Sequence, residues 1–147
     1  MDICVDFDGT CTTHEYPYIG ADIGAVPVLK KLIEKGHRII IFTMRSGEQL
    51  KNAYDWYMRN EIPVYGVQAN PTQIMWTQSP KAYGQLYIDD AALGCPLSRK
   101  DILLDDESMD RFSFSNKEKN GKHYYAPKRD YVDWVKVEKL LIKQGIL

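Results

Sequence analysis

The sequence predicts an α/β protein built on a doubly wound parallel sheet, and three observations carry that expectation. Short apolar runs alternate with segments of helical spacing, the β-α-β-α-β order that gives parallel strands. The runs are apolar almost throughout, as strands covered on both faces are. Acidic or hydroxyl residues follow several of the runs, at the end where open parallel sheets bind ligands.

Ile3 to Phe7 reads as the first strand. Side chains at i and i+2 of a strand share a face, so Asp6 and Asp8 can point at one spot, and Gly9 lets the chain turn just past them. Taken alone, Asp8-Gly9 could equally be a hairpin turn. It is not an EF-hand loop, because the glycine comes fourth where that loop needs it sixth. Cys11 to Gly24 is turn-rich and carries His14, Tyr16 and Tyr18. Val28, Leu29, Leu32 and Ile33 give Ala25 to Lys35 a helical spacing, and Gly36 is a fitting stop. Arg38 to Thr43 is the second strand. Ser46 can cap a following helix with Glu48 and Gln49 in its first turn, and Leu50, Ala53, Tyr54, Tyr57 and Met58 line that helix until Pro63 breaks it. Val64 to Val67 is a short third strand, Gln68 to Pro80 is irregular, and Leu86 to Ile88 is a fourth strand ending in Asp89-Asp90. Right-handed crossovers would place helices on both faces.

The last third reads differently. Arg111-Phe112-Ser113-Phe114-Ser115 alternates, as does Lys122-His123-Tyr124-Tyr125, with Asn116 to Gly121 as a charged turn between them. This predicts a β-hairpin insertion over 111–126. It could lean over a site as a lid, pair with another subunit as an edge, or stand in solvent. Tyr131 to Gln144 predicts a closing amphipathic helix through Val132, Val135, Leu140 and Leu141.

The 147 residues suit one domain, 1–147. A net charge of −1 gives no general polyanion-binding surface. Cys4, Cys11 and Cys95 lack a CxxC or zinc spacing, which favours free thiols in a reducing compartment. The chain opens on Asp2 rather than a basic region, and no apolar run approaches membrane-span length. The expectation is a cytoplasmic protein with no membrane partner.

Parallel strands place their C-terminal ends at one edge of the sheet. Asp6-x-Asp8, Thr43 and Asp89-Asp90 therefore converge, with Lys81 shortly before the fourth strand. Each has a plain alternative: Thr43 as a β-branched strand residue, Lys81 as a solvated lysine, Asp89-Asp90 as a cap or turn. Together they suit phosphoryl transfer. A carboxylate attacking a phosphate dianion needs positive charge, which a divalent cation on hard oxygens and a lysine supply.

Asp6-x-Asp8-Gly9-Thr10, Thr43, Lys81 and Asp89-Asp90, in that order, resemble the four motifs of the haloacid dehalogenase (HAD) superfamily. The match covers roughly residues 1 to 94. The resemblance implies a Mg²⁺-dependent phosphatase with a HAD-type Rossmannoid core. In it Asp6 is nucleophile and metal ligand. Asp8 is general acid/base, with its backbone carbonyl on the metal. Thr43 binds the transferring phosphoryl group, and Lys81 stabilises its charge. Asp89 and Asp90 are acids at the metal, with the inner-sphere ligand open between them. The spans from Asp8 to Thr43 and from Thr43 to Lys81 leave no room for a full cap domain, so the chain resembles small capless members. An open site suits either a bulky substrate or closure by a neighbouring subunit in a homo-oligomer.

Arg45 is either a substrate clamp or a helix-start arginine in solvent. His14 and Tyr16, with Tyr18, either stack on a sugar or base or pack beside Pro17. The leading expectation is a phosphomonoester hydrolase acting on a small phosphorylated metabolite, a sugar phosphate or nucleotide, through an aspartyl-phosphate. A nucleic-acid 3′-end phosphatase is the second reading; the near-neutral charge weighs against it. A phosphate-binding or regulatory protein without turnover is the third, and the intact Asp6 and Asp8 weigh against that.

Overall fold

A computed structural model describes residues 1–112 and 116–147. Four parallel strands form the central sheet: β1 (Asp2–Val5), β2 (Arg38–Ile41), β3 (Val64–Val67) and β4 (Leu86–Ile88), in the spatial order β3-β2-β1-β4. β1 lies between β2 and β4, with Val5 level with Ile41 and Ile88. The carboxyl ends of β1, β2 and β4 thus share one edge.

The two sheet faces are covered unequally. Ile3, Val5, Ile39 and Ile41 share one face and join the main core. α1 (Ala25–Glu34), α2 (Gly47–Arg59) and α4 (Trp134–Lys143) all contribute to that same core. The opposite face carries a small cluster of Cys4, Ile40 and Ala82 with Phe42 and Tyr65 against it, and no α-helical residue belongs to it. Helices on both faces, the doubly wound expectation, are therefore not what the described residues form. The physical reason lies between β3 and β4. There Gln68 to Pro80 makes only a 3-10 turn at Gln73–Met75, and the chain itself folds under the sheet. Gly66 permits this return, since a Cβ there would stand 2.3 Å from the Ala69 carbonyl oxygen.

The helices end alike. α1 closes with Gly36 N–H on Ile33 O and His37 N–H on Leu32 O. Glu61 and Ile62 repeat the pattern after α2, and Gly145 and Ile146 after α4. These are Schellman closures, which satisfy the last carbonyls of a helix through a left-handed residue. α2 therefore ends by its own cap, and Pro63 follows outside it. Ser46 is the N-cap of α2 but makes no side-chain capping bond.

The C-terminal third departs from expectation in three places. Arg111 ends a short helix, α3 (Asp106–Arg111), and Phe112 caps it rather than starting a strand. The expected strand residues Ser113, Phe114 and Ser115 lie outside the described residues. The hairpin is β7 (Asn116–Lys119) with β8 (Lys122–Tyr125), so the segment read as a turn is mostly strand. The turn is only Asn120-Gly121, both with positive φ, 53° and 75°, as a two-residue type I′ turn requires. β8 also pairs with β6 (Ile102–Leu103). The closing helix starts at Trp134, because Tyr131–Val132 forms β9 against β5 (Leu97–Ser98). No helix of the described residues is long and apolar enough to cross a membrane.

Candidate active site

β1 runs into the site. Phe7 and Cys11 are buried, and the N–H groups of Thr10 and Cys11 donate to the Phe7 carbonyl. Gly9, at φ 79°, turns the chain between them, and a Cβ there would lie 2.0 Å from His14 Nε2 and 2.6 Å from Asp90 Oδ2. The loop is held from behind by the C-terminal segment: Val132 N–H donates to Gly9 O at 2.9 Å and Trp134 Nε1 to Thr10 O at 2.7 Å.

Asp6, Asp89 and Asp90 each place a carboxylate oxygen within 4.8 Å of the others. Thr10 bridges the cluster: its hydroxyl donates to Asp6 Oδ2 at 2.8 Å and accepts from Asp90 N–H at 3.1 Å. Burial pushes the Asp6 carboxyl up to about 7; the Thr10 hydrogen bond opposes the rise, and the negative charge of Asp89 and the hydrogen bond shared with Asp90 add to it. Burial also acts to raise Asp90. His14 Nε2 at 2.8 Å from its Oδ2, and the contact with Asp6, outweigh that and hold it below the ordinary carboxylate value. Three hard carboxylates gathered at the end of a parallel sheet, one of them resisting ionisation, are a donor set that fits Mg²⁺. Asp8 stands apart from this cluster.

The structure turns Asp8 onto Arg45. The guanidinium donates through Nε to Asp8 Oδ2 and through Nη2 to Asp8 Oδ1, each at 2.7 Å. Its remaining bonds go to the carbonyls of Pro17, Tyr18 and Gln49. Arg45 is 1% exposed. It is therefore neither a solvent arginine nor a free clamp, because every donor it has is already used. His14 is likewise committed to Asp90. Tyr16 is exposed, with the Arg45 guanidinium carbon 5.2 Å from its ring centroid.

Lys81 is exposed, its ammonium 5.3 Å from the centre of the Tyr87 ring. No ion pair joins it to Asp6 among the described residues. The Ala82 carbonyl explains the placement: it accepts from Tyr87 Oη at 2.5 Å and from Cys4 Sγ at 3.8 Å. That ties the chain at the level of Cys4, one same-face position, or about 6.6 Å of strand, short of Asp6.

After β2, three successive amides have different fates. Thr43 N–H donates to Gln68 Oε1 at 2.9 Å and Arg45 N–H to Thr43 Oγ1 at 3.1 Å. The Met44 N–H and the Thr43 hydroxyl proton have no partner among the described residues. Sequence reasoning reached Thr43 but not Gln68, nor the bridging part of Thr10. Thr10 was in view beside Gly9; Gln68 follows an unremarkable strand, and only its left-handed φ of 62° marks it.

No family model and no curated protein matches the chain. A solved structure does: that of a conserved protein coded by a locus of Bacteroides thetaiotaomicron, 38% identical, at a TM-score of 0.60. The match covers 64% of this chain and 78% of that one. The two proteins belong to one family. What they share is thus an α/β fold with its parallel sheet, retained at an identity high enough to indicate common descent.

Proposed function

We propose that this protein is a Mg²⁺-dependent phosphomonoester hydrolase of the HAD type with a capless α/β core, acting on a small phosphorylated metabolite. The observation that carries the reading is the gathering of Asp6, Asp89 and Asp90 around Thr10, with the free donors of Thr43 and Met44 at the end of the neighbouring strand.

Asp6, Asp89 and Asp90 would hold the metal, which when bound offsets the charge of the phosphate and of the attacking carboxylate. Asp6 attacks phosphorus through one carboxylate oxygen. The new O–P bond forms as the ester O–P bond breaks, and the leaving alkoxide takes from Asp8 a proton that Asp8 has gained from solvent on leaving the Arg45 fork. Asp8 then accepts a proton from the water that splits the aspartyl-phosphate. To meet the leaving group Asp8 turns from the Arg45 fork. The Thr43 hydroxyl and Met44 N–H receive phosphoryl oxygens, and Lys81 swings from Tyr87 toward the same charge. Tyr16 is exposed and available to the leaving group. Arg45 lends nothing to the nucleic-acid end phosphatase reading, since it has no donor left for a polynucleotide.

Phosphate release from p-nitrophenyl phosphate and from a set of sugar phosphates and nucleotides, with Mg²⁺ and with EDTA, tests the reading. Release is expected only with the metal, and Asp6→Asn is expected to abolish it without lowering the unfolding temperature of the metal-free protein. Turnover by Asp6→Asn would refute the nucleophile, and the mechanism with it.

A further inference from the structure

The Gln68 carboxamide makes three bonds to one short turn. Its oxygen accepts from Thr43 N–H at 2.9 Å, and its nitrogen donates to Thr43 O at 2.5 Å and Arg45 O at 3.2 Å. Its backbone is fixed as well, with Gln68 N–H on Ile41 O at 2.7 Å. A glutamine in the left-handed region is uncommon, and such a conformation persists only where the surroundings enforce it. The effect is specific. Two of the three consecutive amides are occupied, and the Thr43 oxygen is engaged as an acceptor. Among the described residues the turn is left with two free protons, the Thr43 hydroxyl's and Met44's.

We propose that Gln68 is a positioning residue for phosphoryl recognition. It clamps the Thr43–Arg45 turn so that those two donors stand preset for a phosphoryl oxygen and the turn itself needs no reorganisation on binding. Gln68 itself does not touch the substrate. The inference rests on the phosphatase reading above and adds to it a residue outside the four motifs.

Two variants separate clamp from fold. Gln68→Gly removes the carboxamide and relieves the backbone, because glycine takes positive φ freely. Gln68→Met keeps the length and the strained backbone but removes the hydrogen bonds. Three readouts are taken: orthophosphate affinity in the presence of Mg²⁺, kcat/KM for p-nitrophenyl phosphate, and Mg²⁺ affinity by calorimetry. Both variants are expected to lose at least tenfold in orthophosphate affinity and in kcat/KM. Mg²⁺ affinity should stay within twofold, and Gln68→Gly should unfold at or above the wild-type temperature. Orthophosphate affinity and kcat/KM within twofold of wild type would overturn the proposal. So would a parallel loss of Mg²⁺ affinity, which would mark Gln68 as a general prop for the site. A wild type that neither binds orthophosphate nor hydrolyses the ester would instead remove the phosphatase reading, and this inference with it.

Discussion

Arg45 shows how far a side chain's surroundings can change its meaning. Spacing alone left it as a ligand clamp or a solvent arginine, and it is neither. The Tyr16–Tyr18 segment returns to Arg45, and the Pro17 and Tyr18 carbonyls, with the Gln49 carbonyl and the Asp8 carboxylate, take up the guanidinium completely. That return is a tertiary event with no local pattern to announce it. Removing one member of a buried ion pair leaves the other charge and several carbonyls unpartnered, at a cost of about 3–5 kcal/mol. Arg45→Met is therefore expected to lose about that much stability in denaturant unfolding. It should also lose at least tenfold in kcat while binding Mg²⁺ normally, because Asp6, Asp89 and Asp90 do not contact Arg45. Arg45→Lys should fall in the same direction by less, since an ammonium cannot fork to both oxygens. Wild-type stability in Arg45→Met would contradict the buried pair.

At the scale of elements, the strands were legible because a covered parallel strand has to be apolar, and β2 to β4 carry that mark in Ile39-Ile40-Ile41, Val64 and Leu86. The helix ends were only partly legible. Gly36 announced the close of α1, but Glu61 does the same work after α2 at φ 57° and gave no sign. A non-glycine residue there is strained, and Glu61 gains little in return: its contact with Lys30 spans 3.9 Å between exposed groups. Glu61→Gly is expected to raise stability by about 0.5–1 kcal/mol, with kcat and KM unchanged, in parallel denaturant and steady-state measurements. A loss of stability would mean that Glu61 is not confined to the left-handed region in solution. The C-terminal third misled for a different reason. Alternation marks a strand only where one face is buried. Arg111 and Phe112 alternate, yet Phe112 closes α3 and packs with Leu104 and Tyr125.

Across the whole molecule, the site and the base of the sheet respond to pH in opposite senses. At the start of β1, Asp2 is buried, which by itself would raise its carboxyl. The hydrogen bonds from Arg38 and Asn70 outweigh that and hold it below its ordinary 3.8. Its contribution to stability is present above that value and is lost as pH falls through the lowered one. At the other end of the same strand, Asp6 is pushed up to about 7 from 3.8. The native state therefore holds a proton that the unfolded chain has released. The stability this gives is complete below 3.8 and declines as pH rises through about 7. A cation held by Asp6, Asp89 and Asp90 competes for the same oxygens, so its affinity should rise over that interval. It would stabilise the fold in proportion to RT ln(1 + [Mg²⁺]/Kd). Unfolding temperatures of the metal-free protein should accordingly fall from pH 4.5 to pH 8, and excess Mg²⁺ should recover most at the alkaline end. Asp6→Asn should flatten the metal-free profile and remove most of the Mg²⁺ response, while the acid limb set by Asp2 stays. A metal-free profile level between pH 4.5 and 8, or an Asp6→Asn protein that still responds fully to Mg²⁺, would contradict the shared proton and metal site on Asp6.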